Sequence, residues 1–306
     1  MKGLGSLFSF GRSTADRAKS PPVRPVQRQS DHGTRKDGSE SRMPGRIVET
    51  VGSGVPIALD LERLNRLGFV TPDGDRSLLA EEFRVIKRPL LTNAFGAAAV
   101  NRGRLLMVTS SLPGEGKSFT ASNLALSIAA ELDQQVLLID ADVARPSIPG
   151  VFAIQSGPGL MELLLDPELD PVSLVRPTNI AGLSILLAGR SHLRATELLA
   201  SSAMDRVLAT LSEKFPNHML VFDSPPLLVT TESRVMAGKV GQIALVIEAE
   251  NTPQEAAKDS LSMLEGCDIV GVILNKNRAS IGGDYYGYGY GYGYGYGYGY
   301  GKKSPK

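Results

Sequence analysis

The chain is poor in residues that mark several classes of protein. It has a single cysteine, Cys267, and no tryptophan. An internal disulfide and a cysteine-rich metal site are therefore excluded, and a reducing compartment is indicated. No apolar run approaches the roughly 18 residues that cross a bilayer, and the N-terminal MKGLGSLFSFGR is too interrupted for a signal peptide. Tyrosine is absent from the first 284 residues. We expect a cytoplasmic protein whose phenolic side chains are confined to one end.

Neither sign of charge predominates over the chain as a whole. It carries 33 Lys and Arg against 32 Asp and Glu, a formal net charge of +1. This balance argues against broad electrostatic binding, so no nucleic-acid partner is expected. Residues 1–46 differ, with ten Lys or Arg, four Asp or Glu, and frequent Ser, Pro and Gly. They lack a sustained apolar period and are predicted to form a disordered basic arm.

Residues 110–118, with the sequence SSLPGEGKS, follow an apolar run and precede a helix-forming run. A strand, a glycine-bearing loop and a helix in this order predict a phosphate-binding loop, because the first N–H groups of a helix have no partner within it. Gly114 and Gly116 let the backbone approach an anion. In such a loop Lys117 would reach the outer phosphates and the Ser118 hydroxyl would bind magnesium. A chance glycine turn is the alternative. The pattern predicts ATP and Mg²⁺ as cofactors.

Beyond residue 103, apolar runs alternate with helix-forming segments. Strands are predicted over residues 105–109, 136–139, 183–187, 219–222, 243–247 and 269–274, and helices over residues 118–131, 160–165, 196–214, 232–238 and 253–265. Short continuous runs of Val, Ile and Leu are typical of strands that are covered on both faces. We therefore expect an α/β, P-loop NTPase-like fold with a mainly parallel sheet and helices on both faces.

Four segments are expected along the chain: the disordered arm over 1–46, a lead-in over 47–103, a P-loop domain over 104–280 and a flexible tail over 281–306. Within the lead-in, a short helix is predicted over residues 57–67. A longer amphipathic helix is predicted over residues 77–91, where Leu79, Phe83 and Ile86 recur at helical spacing and Pro89 marks the predicted end.

Two of the apolar runs end in aspartate. VLLID places Asp140 at a strand end with Asp142 two residues on, and MLVFD places Asp223 at another. Ligands of parallel sheets bind beyond the carboxyl ends of the strands, so we expect all three carboxylates in one site with the phosphate-binding loop. Carboxylates there hold magnesium, usually through water, or accept a proton from an attacking hydroxyl. The alternative is that they cap helices or turns.

Residues 281–306 contain all nine tyrosines of the chain, most of them alternating with glycine. Alternating glycine gives the backbone great freedom, so a flexible segment is predicted rather than a stable strand. A self-associating low-complexity tail without chemistry is the alternative, but it does not explain why tyrosine is absent elsewhere. The nucleotide site upstream supplies a reason if the tyrosines are phosphoacceptors. These are Tyr285, Tyr286, Tyr288, Tyr290, Tyr292, Tyr294, Tyr296, Tyr298 and Tyr300.

The loop SLPGEGKS, the motifs VLLIDADVARP and MLVFDSPP and the tyrosine cluster together resemble the bacterial tyrosine kinases of the BY-kinase group, the autokinases of exopolysaccharide and capsule export. The resemblance covers about residues 76–300. It implies an ATP-dependent tyrosine kinase that phosphorylates its C-terminal cluster in trans between subunits and so regulates polysaccharide polymerisation or export. TPDGDRS, AEEFRVIKRPLL and DADVARPS are most similar to the exosortase-associated branch, in which the transmembrane activator is a separate chain.

The resemblance also implies roles for individual residues. Ser118 and Asp142 hold the magnesium ion and Asp223 holds it through water, while Asp140 is the base for the incoming tyrosine hydroxyl. The implied catalytic residues are Lys117, Asp140, Asp142, Asp223 and Arg145. The implied nucleotide-binding residues are Ser111, Pro113, Gly114, Glu115, Gly116, Lys117, Ser118, Phe119 and Asn275, of which Ser111 replaces the usual first glycine and Asn275 is placed near the adenine.

Two features depart from the family pattern. Glu81, Arg84 and Lys87 match the spacing of the family's ExxRxxR assembly helix, which docks neighbours into a ring, but lysine cannot make the fork-shaped contact of the last arginine. A plain charged helix face is the alternative. Ala144 stands where the family often has the arginine of DxDxR, so Arg145 is expected to take over its phosphate contact. The implied partners are further copies in a ring, a membrane-embedded activator of chain length or export, which would bring the protein to the inner membrane, and a protein-tyrosine phosphatase.

Two other functions fit part of the pattern. A partition or division-site ATPase switch has the same fold and phosphorylates no protein. Loops of that class resemble KGGxGK, with an extra lysine five residues before the main one, whereas Leu112 occupies that position here and Pro113 follows it. The other alternative is a nonenzymatic scaffold whose tyrosine tail drives assembly.

Overall fold

The computed structural model describes residues 10–12, 52–72, 77–97 and 99–277. The predictions for the rest of the basic arm and for the tyrosine tail lie outside the described residues. The strands are β1 (Phe10–Arg12), β2 (Leu105–Ser110), β3 (Gln135–Asp140), β4 (Arg176–Pro177), β5 (Leu183–Leu186), β6 (His218–Asp223), β7 (Gln242–Glu248) and β8 (Ile269–Asn275). The helices are α1 (Leu61–Arg66), α2 (Leu78–Phe95), α3 (Lys117–Ala129), α4 (Ile148–Phe152), α5 (Leu160–Leu165), α6 (Pro171–Leu174), α7 (Ala195–Ala200), α8 (Ser202–Lys214), α9 (Thr231–Ala237) and α10 (Gln254–Ser262).

All the strands belong to one sheet, in the order β1-β8-β7-β2-β6-β3-β5-β4. The six strands from β8 to β5 run parallel, and the two edge strands are antiparallel to their neighbours. The register pairs Asp140 of β3 with Asp223 of β6. The carboxyl ends of the central strands therefore meet at one edge of the sheet, where the predicted site residues follow them.

Both faces of the sheet are covered, as the apolar runs predicted. In β2, Leu106 and Val108 pack into a core layer with α2 and α3, while Leu105 and Met107 pack into a second layer with α5, α8 and α9. Successive side chains of a strand point to opposite faces, so a strand buried on both faces has no polar alternation. The predicted α/β fold with a mainly parallel sheet is confirmed, and so are its six predicted strands.

The two edge strands are not predicted by the sequence pattern. β4 has two residues and β1 has three, too few to show a period, and β1 lies within the segment predicted to be disordered. Phe10 pairs with Gly271 and Arg12 with Ile269, so this short stretch of the arm covers the outer edge of β8. The part of the chain that the structure describes contains no helix with the length and apolar content needed to cross a membrane.

The lead-in helices differ from their predicted bounds. α2 continues through Pro89 to Phe95, so the predicted end at Pro89 was wrong. Proline removes the N–H that would bond the carbonyl of Val85, but Val85 is 56% exposed, and water can replace that donor. α1 is shorter than predicted, because the Asp60 carboxylate accepts the Arg63 N–H as an N-cap and Ile57 is bridged to Thr178.

The helix predicted over residues 196–214 is two helices in the structure. α7 ends and α8 begins at Ser201, whose hydroxyl accepts the Ala203 N–H at 3.1 Å. A serine side chain competes well for the unpaired N–H groups at the start of a helix, so one serine is sufficient to start a new helix inside an otherwise continuous helical pattern.

Candidate active site

The phosphate-binding loop connects β2 to α3 at the carboxyl edge of the sheet, where it was predicted. Gly116 is the residue before the first helical turn and has φ 99°, and Gly114 has φ 88°. Both angles lie in the left-handed region that only glycine adopts without strain. A Cβ atom at Gly116 would lie 2.0 Å from Asn275 Nδ2. The loop therefore requires glycine at residue 116 for its backbone conformation and for its close approach to β8.

Lys117 opens α3 and meets two of the predicted carboxylates. Its Nζ lies 2.9 Å from Asp142 Oδ2 and 3.5 Å from Asp223 Oδ1. Burial alone lowers the pKa of Lys117, but the charges of Asp223 and Asp142 outweigh that effect and raise it. The ammonium group is therefore charged at neutral pH. It lies at the carboxyl ends of β3 and β6, as the sequence predicted.

Ser147 is a site residue that sequence reasoning missed. Its Oγ lies 2.7 Å from Ser118 Oγ and 2.8 Å from Asp223 Oδ2, so it joins the loop to the end of β6. Ser147 precedes α4, whose first turn contains proline, and this pattern is typical of an N-cap. In the structure the hydroxyl makes no cap hydrogen bond to α4. Ser147 therefore has the sequence pattern of an N-cap, but its side chain bonds Ser118 and Asp223 across the site instead.

Asp140 is fully buried and its carboxylate accepts backbone N–H groups. Oδ2 accepts from Ser147 at 3.1 Å and from Ile148 at 3.0 Å, and Oδ1 accepts from Asp142 at 3.3 Å. Asp140 therefore stabilises the turn after β3, which is the alternative role that the sequence pattern allowed. Burial first, and then the charge of Asp223, raises the pKa of Asp140 from 3.8 to about 7, although the Ile148 N–H and Lys117 oppose the shift. Its carboxyl group thus exchanges a proton near neutral pH.

Asp223 is also fully buried. Burial raises the pKa of its carboxyl group, and the charge of Lys117 and hydrogen bonds from Ser118 and Ser147 offset only part of that rise. A carboxylate in this position gains from any further positive charge that approaches it, because its ionised form is otherwise poorly solvated.

The oxygen atoms around Ser118 fit a magnesium ion better than a metal held by protein ligands alone. Within the described ranges there is no group of three or more His, Cys, Asp or Glu side chains that could hold a metal. Magnesium is usually bound through one or two carboxylates, water and phosphate oxygens. The Ser118 hydroxyl, with Asp223 linked to it through Ser147, offers that kind of incomplete donor set.

The remaining predicted site residues lie in different surroundings. Asn275 lies at the loop, where its Nδ2 donates to the Glu115 carbonyl at 2.7 Å. The Arg145 side chain is exposed, and its backbone N–H donates to Asp142 Oδ1 at 3.0 Å. The Phe119 ring packs against Phe69 with 5.0 Å between ring centroids. Ser111 is buried, Glu115 is buried, and Pro113 is exposed on the loop.

The predicted assembly residues divide into two groups. Glu81 and Arg84 pair with each other on the solvent side of α2. Lys87 is 3% exposed, and its Nζ donates to the Ser127 carbonyl at 2.5 Å and pairs with Glu131 at 2.6 Å. The assignment of Lys87 to a subunit interface is therefore wrong for this fold, because its ammonium group bonds α3 of the same chain. Arg88 is the next exposed cation of the helix.

Comparison with known proteins identifies the family of the chain. A ParA family model, described as NUBPL iron-transfer P-loop NTPase, matches residues 101–278, which is more than half of the chain. The chain therefore belongs to the ParA family of nucleotide-binding P-loop NTPases.

Several bacterial kinases are similar to the chain. The tyrosine-protein kinase YwqD of Bacillus subtilis is 31% identical over 212 residues, 69% of this chain and 86% of that protein. The crystallised VpsO kinase domain is 34% identical, with a TM-score of 0.55, over 66% of this chain and 97% of that one. The kinase domain of Escherichia coli ETK is 26% identical, with a TM-score of 0.59, over 79% of this chain and 95% of that one. The chain belongs to the bacterial tyrosine-protein kinases.

Proposed function

We propose that this chain is an ATP-dependent protein-tyrosine autokinase whose substrates are the tyrosines of its own C-terminal segment. One observation carries the proposal. Lys117, Asp142 and Asp223 meet beside the phosphate-binding loop, in a chain whose nine tyrosines all lie between residues 285 and 300. The nucleotide site and the phosphate acceptors thus occupy one polypeptide, and membership of the tyrosine-kinase family supports the same reading.

The loop and Lys117 would bind the triphosphate. The N–H groups at the start of α3 attract phosphate oxygens, and the Lys117 ammonium would leave its ion pairs with Asp142 and Asp223 for the outer phosphates. Ser118, Asp142 and Asp223 would hold magnesium, which supplies charge neutralisation when bound. Phosphoryl transfer needs mainly alignment and charge neutralisation, and this set of side chains provides donors for both.

Asp140 is the proposed base for the tyrosine hydroxyl. A tyrosine with a pKa near 10 is protonated at neutral pH, and Asp140, with a pKa of about 7, is ionised in a substantial fraction of molecules. Both carboxylate oxygens accept backbone N–H groups from residues 142, 147 and 148. Because Asp140 is fully buried, a hydroxyl would reach its remaining acceptor position only if the surrounding residues move.

Transfer is proposed to run in trans, between subunits of a ring. Glu81 and Arg84 on the solvent side of α2 would contact a neighbour, with Arg88 in the place assigned from the sequence to Lys87. Each phosphate adds about −1.5 to −2 charges, so a phosphorylated tail would be repelled from acidic sites and loosen the ring. The proposed partners are a tyrosine phosphatase and a separate membrane-embedded activator, the arrangement expected from the resemblance to the exosortase-associated branch. The chain would then lie peripherally at the inner membrane and regulate exopolysaccharide polymerisation or export.

A mixing experiment tests both the activity and its direction. One full-length variant carries Lys117→Met and keeps the tyrosines, and the other keeps Lys117 but has all nine tyrosines changed to phenylalanine. Each is incubated with γ-labelled ATP and magnesium alone and then together, and phosphate is read by anti-phosphotyrosine blot and intact mass. We expect Lys117→Met alone to lose at least about 10²-fold in labelling, and the mixture to label the Lys117→Met chain.

The other outcomes each decide against part of the proposal. Labelling of wild type without labelling in the mixture would reject the trans route and keep the kinase. Release of free phosphate from wild type with no tyrosine label would reject the kinase and favour a ParA-type ATPase switch. Equal labelling of wild type and the Lys117→Met variant would reject the assigned site.

A further inference from the structure

Two residues at the end of β8 hold the backbone of the phosphate-binding loop. Lys276 Nζ donates to the Gly114 carbonyl at 2.7 Å, and Asn275 Nδ2 donates to the Glu115 carbonyl at 2.7 Å. These bonds join residues about 160 positions apart in the chain. The sequence indicated a nucleotide contact for Asn275 and none for Lys276.

A bond to a loop carbonyl also orients the N–H group on the other side of the same peptide. The peptide unit is planar and trans, so its C=O and N–H point in opposite directions. The Gly114 carbonyl shares its peptide with the Glu115 N–H, and the Glu115 carbonyl shares its peptide with the Gly116 N–H. Lys276 and Asn275 therefore direct two loop N–H groups away from β8. In a phosphate-binding loop these N–H groups are the anion donors.

The two side chains are themselves held in place. Asn275 Oδ1 accepts the Lys276 N–H at 2.8 Å, which leaves Nδ2 to face the loop. Lys276 has φ 58°, and its Nζ also pairs with Glu248 at 2.9 Å, at the end of the adjacent β7. A lysine with two oxygen partners in different segments has little freedom to turn away. The contact with Gly114 thus belongs to a braced arrangement of β7, β8 and the loop.

The loop has a second brace that does not use Lys276. The Glu115 carboxylate accepts the Leu112 N–H at 2.8 Å and bonds the Thr252 hydroxyl, and Thr252 Oγ1 also accepts the Glu248 N–H at 3.0 Å. Loss of the Lys276 ammonium should therefore leave the loop folded and free only the Gly114 peptide to rotate.

We propose that Lys276 is a positioning residue for the nucleotide: through the Gly114 carbonyl it presets the Glu115 N–H for a phosphate oxygen, with Asn275 acting in the same way on the Gly116 N–H. The inference rests on the proposed nucleotide site and deepens it. Preset donors bind an anion more tightly than donors that must first be oriented.

The test compares three full-length variants with wild type. Lys276→Met removes the donor and keeps the side-chain length, and Lys276→Arg keeps a cationic donor. Lys239→Met is the matched control, because Lys239 also pairs with a carboxylate, Asp205, at 2.6 Å but precedes β7 at the opposite edge of the sheet. Equilibrium affinity for a fluorescent ADP analogue, thermal unfolding without nucleotide, and the Glu115 and Gly116 amide shifts by NMR are measured for each.

We expect Lys276→Met to weaken ADP binding about tenfold, a loss that corresponds to 1.4 kcal/mol, and to reduce the nucleotide-induced shift of the Glu115 amide. Lys276→Arg should recover most of the affinity, and Lys239→Met should match wild type. In kinase assays the loss should appear in KM for ATP with kcat little changed.

Unchanged ADP affinity in Lys276→Met would overturn the inference. An equal loss of ADP affinity in Lys276→Arg would also overturn it. The same holds if Lys276→Met lowers the unfolding temperature of the nucleotide-free protein while Lys239→Met does not. Binding is measured without phosphoryl transfer. A wild type that binds ADP but labels no tyrosine would therefore reject the proposed kinase and leave the role of Lys276 intact.

Discussion

Lys87→Met should destabilise the fold and leave subunit assembly unchanged. The Lys87 ammonium bonds the Ser127 carbonyl near the end of α3. The two N–H groups that would bond it in a continuing helix are used elsewhere, since the Ala130 N–H bonds the Leu126 carbonyl and the Glu131 N–H bonds the Ile128 carbonyl. A cation at the end of a helix satisfies an unpaired carbonyl and interacts favourably with the helix dipole. Methionine keeps the length of the buried stem, so the substitution removes mainly the charge and its hydrogen bonds.

The magnitude follows from the two partners of the ammonium group. Loss of a buried hydrogen bond to a charged donor costs about 1.5–3 kcal/mol. The ion pair with Glu131 adds little, because Glu131 is 47% exposed and such pairs are worth about 0–1 kcal/mol. We expect a loss of about 2–3 kcal/mol, which lowers the unfolding temperature of a domain of this size by about 5–10 °C.

The assay is thermal unfolding by circular dichroism, with native mass spectrometry for the oligomeric state. Glu131→Gln isolates the ion pair and should lower stability by no more than about 1 kcal/mol. Arg88→Met changes an exposed cation of the same helix, so it should alter the stability of the single subunit by about 0.5 kcal/mol or less and, given the contact proposed for Arg88, act on assembly instead. A Lys87→Met protein that unfolds at the wild-type temperature but no longer assembles would refute the assignment of Lys87 to the core and return it to the interface.

Three further predictions concern the site. Burial raises the pKa of Asp140 from 3.8 to about 7, so the native state binds its proton more tightly than the unfolded chain does and stability falls as pH rises from about 4 to about 7. In urea unfolding without metal or nucleotide, the Asp140→Asn variant should therefore become more stable relative to wild type as the pH rises, by at most about 1.4 kcal/mol per pH unit. A difference in unfolding free energy that does not change with pH would contradict this. Ser147→Ala should cost about 1 kcal/mol and raise the magnesium concentration for half-maximal labelling several-fold, whereas an unchanged magnesium titration would remove Ser147 from the site. Gly116→Ala should abolish ADP binding, because its Cβ would lie 2.0 Å from Asn275 Nδ2. Gly114→Ala meets no atom within 4 Å and should cost only about 1–2 kcal/mol of backbone strain, so equal loss in both variants would disprove the close-approach argument.

The strands were predictable because each central strand is buried on both faces. Such a strand must be apolar along its whole length, and a run of that kind is visible without knowledge of its neighbours. The helix bounds were less predictable, because they depend on contacts made elsewhere. A proline ends most helices, but Pro89 is tolerated at an exposed turn of α2. Ser201 looks like an ordinary helical serine in the sequence, yet its side chain caps α8 and so divides it from α7.

The same distinction applies to the site. The positions of Lys117, Asp140 and Asp223 were predictable from the sequence. A phosphate-binding loop and the carboxyl end of a parallel strand are the places where such sheets bind ligands, and both can be recognised without knowledge of the fold. Ser147 and Lys276 were not, because their roles arise from hydrogen bonds to residues distant in the chain, Asp223 and Gly114. Lys87 was misassigned because helical spacing alone does not tell the buried Lys87 from the exposed Arg88, the next residue of the same helix.

The parallel sheet also determines at which edge the chain continues into the tyrosine-containing segment. β8 runs parallel to β7, so Asn275 and Lys276 reach the edge at which Asp223 ends β6. Three strand spacings from β8 to β6 amount to about 14 Å, and the eight residues from Asn277 to Tyr285 span up to about 27 Å when extended. A tail of that reach is long enough to cross its own sheet. The length of the tail therefore does not by itself favour the proposed trans transfer, and a preference for it would have to come from the arrangement of the proposed ring.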